Sequence, residues 1–311
     1  MLKLKNKLLA VSFVGLLLLG ACGSGETNNE QPEGDATPTD EEVNYSEAVD
    51  YTITGIEPGA GITVTTERAI EEYENLAGWT LDISSTAAMM AELDKAIANE
   101  EPIIITGWNP HWMFAKYPDL KYLEDPKDIY GGEEGINTLV RKGFEEEKPE
   151  AFKVISQFKW EVEDMEEIMY EASDTGEEVE DVAKRWVENN PDKVAAWLEG
   201  VEDVDGVEVE LISTPWDSER ASSGVLKTAM EQKGFNVTVT PVDVAIMFES
   251  IANGDGDATV AAWLPYTHKE FHERYEDDYI DLGPNLVGAK IGLTVPAYMD
   301  IDSIEDLEPK E

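Results

Sequence analysis

Three tryptophans each follow a short apolar run that has the composition of a β-strand. The pairs of run and tryptophan are 102–106 with Trp108, 207–212 with Trp216, and 258–262 with Trp263. In open α/β sheets, ligands bind at the edge formed by the carboxyl ends of the strands. We therefore expect each run to be a strand that delivers its tryptophan just past its carboxyl end, so that the three indole rings meet at one edge.

Converging indole faces are suited to a poorly hydrated cation. The π-face of tryptophan attracts positive charge without a hydrogen bond, and a quaternary ammonium group needs none. The chain has eight tryptophans. The remaining five fall within strand or helix patterns and are predicted to serve packing: Trp79, Trp112, Trp160, Trp186 and Trp197.

A glycine-containing turn could bind the opposite charge. The segment 57–63 includes Gly59 and Gly61 and stands between a strand pattern and a helix pattern. Backbone N–H groups at a helix start bind carboxylate or phosphate groups, although a purely structural turn is an equally good interpretation. His268, five residues after Trp263, could donate a hydrogen bond to the same anion. A quaternary ammonium joined to a carboxylate is a betaine.

Five segments carry a resemblance to a known family: 55–62, 105–112, 216–219, 262–268 and 303–307. With them the chain resembles the glycine betaine and proline betaine substrate-binding lipoproteins of ABC importers (the OpuAC type) from about Tyr51 to its end. The resemblance implies a cage of Trp108, Trp216 and Trp263 around the ammonium group. It also implies carboxylate contacts from Gly61, Ile62 and His268, an ABC permease as partner, and neither a cofactor nor an enzymatic activity.

Short apolar runs alternate with segments of helical period, which predicts an α/β fold. Two strand-rich halves flank a helix-rich middle and indicate two lobes. The predicted strands are 51–56, 79–83, 103–106, 207–212, 236–242, 259–262 and 291–295. The predicted helices are 65–73, 86–99, 165–171, 179–188, 191–198, 222–234 and 244–252. The resemblance implies the type II periplasmic-binding-protein fold with ligand in the inter-lobe cleft: 51–138 completed by 290–311 as lobe 1, and 139–289 as lobe 2.

The amino terminus has the pattern of a lipoprotein export signal. Three lysines precede an apolar run over 8–19, and Cys22 follows a sequence that resembles a lipobox. We predict a signal peptide over 1–21, lipid attachment at Cys22 and an acidic flexible tether over 22–50, which places the protein on the outer face of the cell membrane. An ordinary signal peptide with an incidental cysteine is the alternative.

The chain is strongly acidic: 311 residues carry 23 Lys plus Arg against 67 Asp plus Glu, a net charge of −44. Removing residues 1–21 removes three lysines and no acid, which leaves −47. Such a surface repels phosphate backbones, so nucleic acid is excluded as a partner. We interpret the acidity as adaptation to a saline or alkaline exterior, with lineage bias as the alternative.

Other functions remain open at this stage. His268 and His272 have the i, i+4 spacing of a zinc pair, but the order of the HExxH motif is absent. Choline or carnitine could replace a betaine as ligand, and the chain could be a purely structural surface protein. Arg220 could pair with Glu219 or with acids across the cleft, or reach the ligand carboxylate.

Overall fold

The computed structural model describes residues 43–311. The strands are β1 Thr52–Thr54, β2 Thr80–Asp82, β3 Ile105–Asn109, β4 Leu120–Tyr122, β5 Glu134–Arg141, β6 Glu208–Ser213, β7 Asn236–Pro241, β8 Ala258–Leu264 and β9 Tyr279–Pro296. The helices are α1 Tyr45–Ala48, α2 Gly61–Glu72, α3 Thr86–Asn99, α4 Trp112–Lys116, α5 Phe144–Glu147, α6 Pro149–Gln157, α7 Val162–Thr175, α8 Val179–Asn189, α9 Pro191–Trp197, α10 Asp217–Glu231, α11 Val244–Asn253 and α12 Lys269–Tyr275. Short 3₁₀ turns cover Glu74–Leu76 and Ile304–Asp306.

All described strands belong to one mixed sheet. Its order is β2-β1-β3-β9-β5-β8-β6-β7, and β4 pairs with β9 outside this path. The long strand β9 connects two parts of the sheet: residues 290–294 run antiparallel to β3, and residues 279–289 run antiparallel to β5. The register of the second pairing shifts three times along β5: between Glu134 and Gly135, between Ile136 and Asn137, and between Asn137 and Leu139.

The helix-rich middle packs around an aromatic cluster. Trp160, Trp186 and Trp197 are buried, and Phe158 joins them with its ring centroid 5.0 Å from that of Trp197. The rings of Trp186 and Trp197 stack at 6.2 Å. Burying several large aromatic side chains together contributes strongly to a core, so these tryptophans serve packing as the sequence predicts.

Some helices and strands of the structure match the prediction closely, and others were not predicted. Helix α3 has the predicted bounds because Ser85 caps its first turn and Glu100 ends it in the left-handed region at φ 55°. Strands β4 and β5 and the first half of β9 were not predicted. Strand β4 has only three residues, and the residues of β5 and of the first half of β9 mix glycine and polar side chains with apolar ones without a clean alternation.

The folded part begins earlier than the sequence predicts. Residues 43–50, assigned above to a flexible tether, include helix α1, whose first turn is capped by the Asn44 side chain. Ser46 is buried, and its hydroxyl accepts a hydrogen bond from the backbone N–H of Glu308 at 2.8 Å. The tether prediction for this stretch is therefore wrong. The stretch contains several polar residues, but the Asn44 cap orders it and the hydrogen bond to Glu308 holds it against the carboxyl-terminal segment.

The predicted signal peptide, Cys22 and the rest of the predicted tether lie outside the described residues. Within residues 43–311, no helix is long and apolar enough to cross a membrane.

Candidate functional site

All six predicted site residues line one cavity of about 40 Å³: Gly61, Ile62, Trp108, Trp216, Trp263 and His268. Six further residues complete its wall: Ile56, Ala60, Ser218, Glu219, Thr267 and Ile291. The wall is therefore aromatic and aliphatic, with a few polar groups. A wall of this kind suits a small, compact ligand.

The three tryptophans reach the cavity from different positions than predicted. Trp108 lies inside β3 and Trp263 inside β8, each one residue before its strand ends. Trp216 follows β6 by three residues and is the N-cap residue of α10. The prediction that all three lie just past their strands is thus correct only for Trp216, because β3 and β8 extend further than their apolar runs.

A buried carboxylate holds the Trp263 ring. The indole Nε1–H of Trp263 donates to Glu219 Oε1 at 2.7 Å, and the Ser218 hydroxyl donates to Glu219 Oε2 at 2.7 Å. Burial raises the pKa of Glu219, while these two hydrogen bonds work in the opposite direction. Sequence reasoning missed this residue because acidic side chains are so abundant in the chain that one more carries no signal.

A second carboxylate holds the Trp216 ring. Glu57 Oε2 accepts from Trp216 Nε1–H at 3.2 Å, and Glu57 also accepts from the backbone N–H and the hydroxyl of Thr86, both at 2.9 Å. Partial burial alone would raise the pKa of Glu57, but the hydrogen bonds from Thr86 and Trp216 outweigh it and the pKa is lowered. This contact joins the loop after β1 to the start of α10.

The predicted anion-binding turn is the amino terminus of α2. Gly61 and Ile62 are its first two residues, and the N-cap residue Ala60 makes no side-chain capping bond. The N–H groups of the first helical turn have no partner within the helix, and the helix dipole favours negative charge there. A β-carbon added to Gly61 would lie 2.4 Å from Thr267 Cγ2 and 2.7 Å from the Thr267 carbonyl oxygen. Only glycine therefore allows α2 to approach the segment after β8 this closely.

His268 lies at this contact with a defined tautomer. Its Nδ1 accepts a hydrogen bond from the backbone N–H of Trp263 at 3.0 Å, so the neutral ring carries its proton on Nε2. Burial lowers the pKa of His268 to about 3. The residue therefore stays neutral at physiological pH and offers one N–H donor.

Glu134 fixes the segment that carries His268. This buried carboxylate accepts from the backbone N–H groups of Tyr266 at 2.9 Å and Thr267 at 3.0 Å, and from the Thr267 hydroxyl. Burial raises the pKa of Glu134. Because Glu134 does not line the cavity, its role is to position the segment.

Arg220 forms no ion pair with Glu219 and does not line the cavity. Its guanidinium pairs with Glu178 at 2.7 Å and Glu180 at 2.6 Å at the start of α8, and more weakly with Asp217. These acids belong to the same predicted lobe as Arg220, so the structure realises neither pairing with Glu219, nor pairing across the cleft, nor a position at the cavity.

The two histidines with zinc spacing are engaged elsewhere. His272 Nδ1 lies 2.7 Å from the Tyr279 hydroxyl, and His268 Nδ1 binds a backbone N–H. No group of three or more metal-ligating side chains occurs within residues 43–311.

Comparison with known proteins identifies the family of the chain. The family model described as "Substrate binding domain of ABC-type glycine betaine transport system" (OpuAC) matches residues 35–189 and 207–311. The glycine betaine/carnitine transport binding protein GbuC of Listeria monocytogenes is 46% identical over 307 residues, which are 97% of this chain and 98% of that protein.

Two solved structures are also similar. The lactococcal OpuAC in its closed, liganded conformation with glycine betaine is 47% identical over 48% of this chain and 58% of its own, with a TM-score of 0.46. An ABC-transporter choline-binding protein in complex with choline is 28% identical over 50% of this chain and 55% of its own, with a TM-score of 0.45. Each alignment thus spans little more than half of the solved chain.

The fold class is that of the two-lobed α/β periplasmic binding proteins. The chain belongs to the OpuAC family of substrate-binding proteins of ABC-type transport systems, and it is not an enzyme.

Proposed function

We propose that this protein captures glycine betaine, and also proline betaine, in the cavity between Trp108, Trp216 and Trp263 and delivers it to an ABC importer for osmoprotection. The observation that carries the proposal is the convergence of three indoles, one helix amino terminus and one neutral histidine on a single small cavity. The indoles would surround the trimethylammonium group. The N–H groups of Gly61 and Ile62 and the Nε2–H of His268 would bind the carboxylate.

The arrangement of the sheet supports a cleft between two lobes. Strand β9 pairs with β3 through 290–294 and with β5 through 279–289. We propose lobe 1 as the part around β1 to β4 with residues 290–311, and lobe 2 as the part from β5 to residue 289. The first boundary is best placed before Glu134 rather than after Thr138, because β5 pairs along its whole length with β8 and β9.

Carnitine and choline are the alternative ligands. The similar Listeria protein is named for glycine betaine and carnitine, and the similar choline-binding structure holds choline. Carnitine carries both charges, as glycine betaine does, but it is longer and would need more space between the indoles and the donors at the start of α2. Choline lacks a carboxylate and would leave the donors of Gly61, Ile62 and His268 without a partner, which costs binding energy.

Calorimetric titration with four ligands tests the proposal. We expect glycine betaine and proline betaine to bind with micromolar dissociation constants, carnitine to bind less tightly and choline least tightly. Choline binding more tightly than glycine betaine would contradict the proposal, as would the absence of binding heat for all four.

We further propose that the protein works at the outer face of the cell membrane, anchored through lipid on Cys22. The support is the pattern of residues 1–22, together with the family's role in ABC-type transport. Expression with labelled fatty acid should give labelled protein in the membrane fraction, whereas Cys22→Ser should give unlabelled protein. Equal labelling of both would contradict the anchor.

A further inference from the structure

Glu219 is a buried carboxylate whose charge has no partner among the described residues. It is 4% exposed, and both of its oxygens accept hydrogen bonds, from Trp263 Nε1–H and from the Ser218 hydroxyl. Both hydrogen bonds favour the ionised form, and they oppose the burial that raises the pKa of Glu219. Within residues 43–311, no lysine or arginine forms an ion pair with Glu219, since the adjacent Arg220 binds Glu178, Glu180 and Asp217.

The position of this carboxylate is informative. Glu219 lines the same cavity as the three indoles. A buried charge without a counter-charge is costly and is normally paired or bound to a cation. The other strongly buried carboxylate of this region, Glu134, instead accepts three hydrogen bonds from the segment 266–267 and lies outside the cavity wall.

We propose that the Glu219 carboxylate is the counter-charge for the cationic end of the ligand, so that it determines the preference of the cavity for a quaternary ammonium over an uncharged group of the same shape. This inference rests on the function proposed above. The carboxylate acts in two ways: its field attracts the cation directly, and its bond to Trp263 Nε1–H makes the indole face more negative. A tryptophan cage without Glu219 would keep its shape and lose much of its charge selectivity.

Two pairs of isosteric ligands separate charge from shape. In 3,3-dimethylbutyrate a carbon replaces the ammonium nitrogen of glycine betaine, and 3,3-dimethyl-1-butanol has the same relation to choline. The variant Glu219→Gln keeps an acceptor for Trp263 and a donor for Ser218 while it removes the charge. We expect it to raise the dissociation constant of glycine betaine by about tenfold or more and to leave that of 3,3-dimethylbutyrate unchanged or lower.

The matched control is Glu134→Gln. It also neutralises a buried carboxylate, but this one only positions the segment 266–267. It should therefore raise the dissociation constants of both ligands of a pair by the same factor. Glu219→Asp keeps the charge and should keep most of the discrimination between them. Without ligand, Glu219→Gln should unfold at the same temperature as the wild type or higher, because an unpaired buried charge has been removed.

Three results would overturn the inference. In the first, Glu219→Gln raises the dissociation constants of glycine betaine and 3,3-dimethylbutyrate by the same factor. In the second, Glu134→Gln changes the ratio of these two constants as much as Glu219→Gln does, and in the third the Glu219→Gln protein fails to fold. If the wild type does not bind glycine betaine, the proposed function fails separately. The choline pair then tests Glu219 by the same ratio, and loss of discrimination between choline and 3,3-dimethyl-1-butanol in Glu219→Gln would still support the inference.

Discussion

At the scale of single residues, two histidines are built in the same way. His111 Nδ1 accepts from the backbone N–H of Met113, and His268 Nδ1 accepts from that of Trp263, each at 3.0 Å. Burial lowers the pKa of each to about 3. Both are therefore neutral structural acceptors, and His268 additionally offers its Nε2–H at the cavity wall.

This burial predicts a contribution to acid sensitivity. A histidine whose pKa in the folded state lies far below its unfolded value of about 6.5 binds protons only after unfolding. The stability it contributes is complete above pH 6.5 and is lost progressively as pH falls towards 3. For each histidine the slope is about 1.4 kcal/mol per pH unit.

The variant His111→Gln keeps an acceptor for Met113 and cannot be protonated. We expect the free energy of unfolding, measured by urea denaturation between pH 7 and 4, to fall less steeply for this variant than for the wild type by about 1.4 kcal/mol per pH unit. Comparison with the wild type cancels the contribution of the many carboxylates. Parallel curves for the two proteins would show that His111 is not held neutral by the fold.

At the scale of elements, the site depends on the amino terminus of α2 meeting the segment after β8. Gly61 makes this approach possible, because Thr267 occupies the space where its β-carbon would be. Glu57 adds a second link, from the loop after β1 to the start of α10, by accepting a hydrogen bond from the Trp216 indole at 3.2 Å. Trp112 adds a third, since its Nε1–H donates to Asp217 Oδ2 at 3.3 Å.

Gly61→Ala tests the contact of α2 with this segment. Gly61 is the first residue of α2, and the helix itself accepts alanine at this position. The added methyl group nevertheless clashes with Thr267 and should weaken glycine betaine binding by about tenfold or more, measured by calorimetry. Gly132→Ala is the control, because no atom lies within 4 Å of the added carbon there and φ is not positive. Unchanged affinity in Gly61→Ala would mean that binding does not need α2 to approach the segment after β8 so closely.

Element-scale reasoning from the sequence succeeded where local signals were strong. Helix α3 begins at a serine cap and ends at a residue in the left-handed region, and its bounds were predicted. The three tryptophans were found because each follows an apolar run and the chain has only eight tryptophans. His268 was found through its spacing from Trp263, whereas Gly61 and Ile62 were implied by the resemblance to the family. Strand β5 and the first half of β9 were missed because long-range pairing, not local pattern, makes them strands. The burial of Glu219 could not be predicted because a glutamate among 67 acids gives no sign of which one the fold encloses.

At the scale of the whole molecule, the acidic net charge and ligand binding in the cavity are independent of each other. The chain has a net charge of −44, and within residues 43–311 only four acids are buried: Glu134, Asp164, Glu219 and Asp257. The cavity wall is largely apolar and includes one acid, Glu219. Repulsion among surface charges is screened over about 30 Å at 0.01 M salt and about 3 Å at 1 M. A zwitterionic ligand has no net charge and is little affected by that field.

We therefore expect salt to change stability more than affinity. Raising NaCl from 0.01 M to 1 M should raise the melting temperature, while the dissociation constant of glycine betaine changes by less than about threefold. Calorimetry and thermal unfolding on the same samples measure both quantities. A melting temperature that does not rise would favour lineage bias over adaptation to salt as the origin of the acidity.

The central claim is that the indoles around the cavity, and not aromatic residues in general, bind a quaternary ammonium ligand. The most direct measurement is calorimetric titration of glycine betaine into the wild type, Trp263→Leu and Trp197→Leu. Trp197 is the control because it is also buried but lies in the aromatic cluster of the helical middle. The account predicts micromolar binding to the wild type and to Trp197→Leu, and no measurable heat with Trp263→Leu although that variant remains folded. Equal binding by Trp263→Leu and the wild type would contradict it.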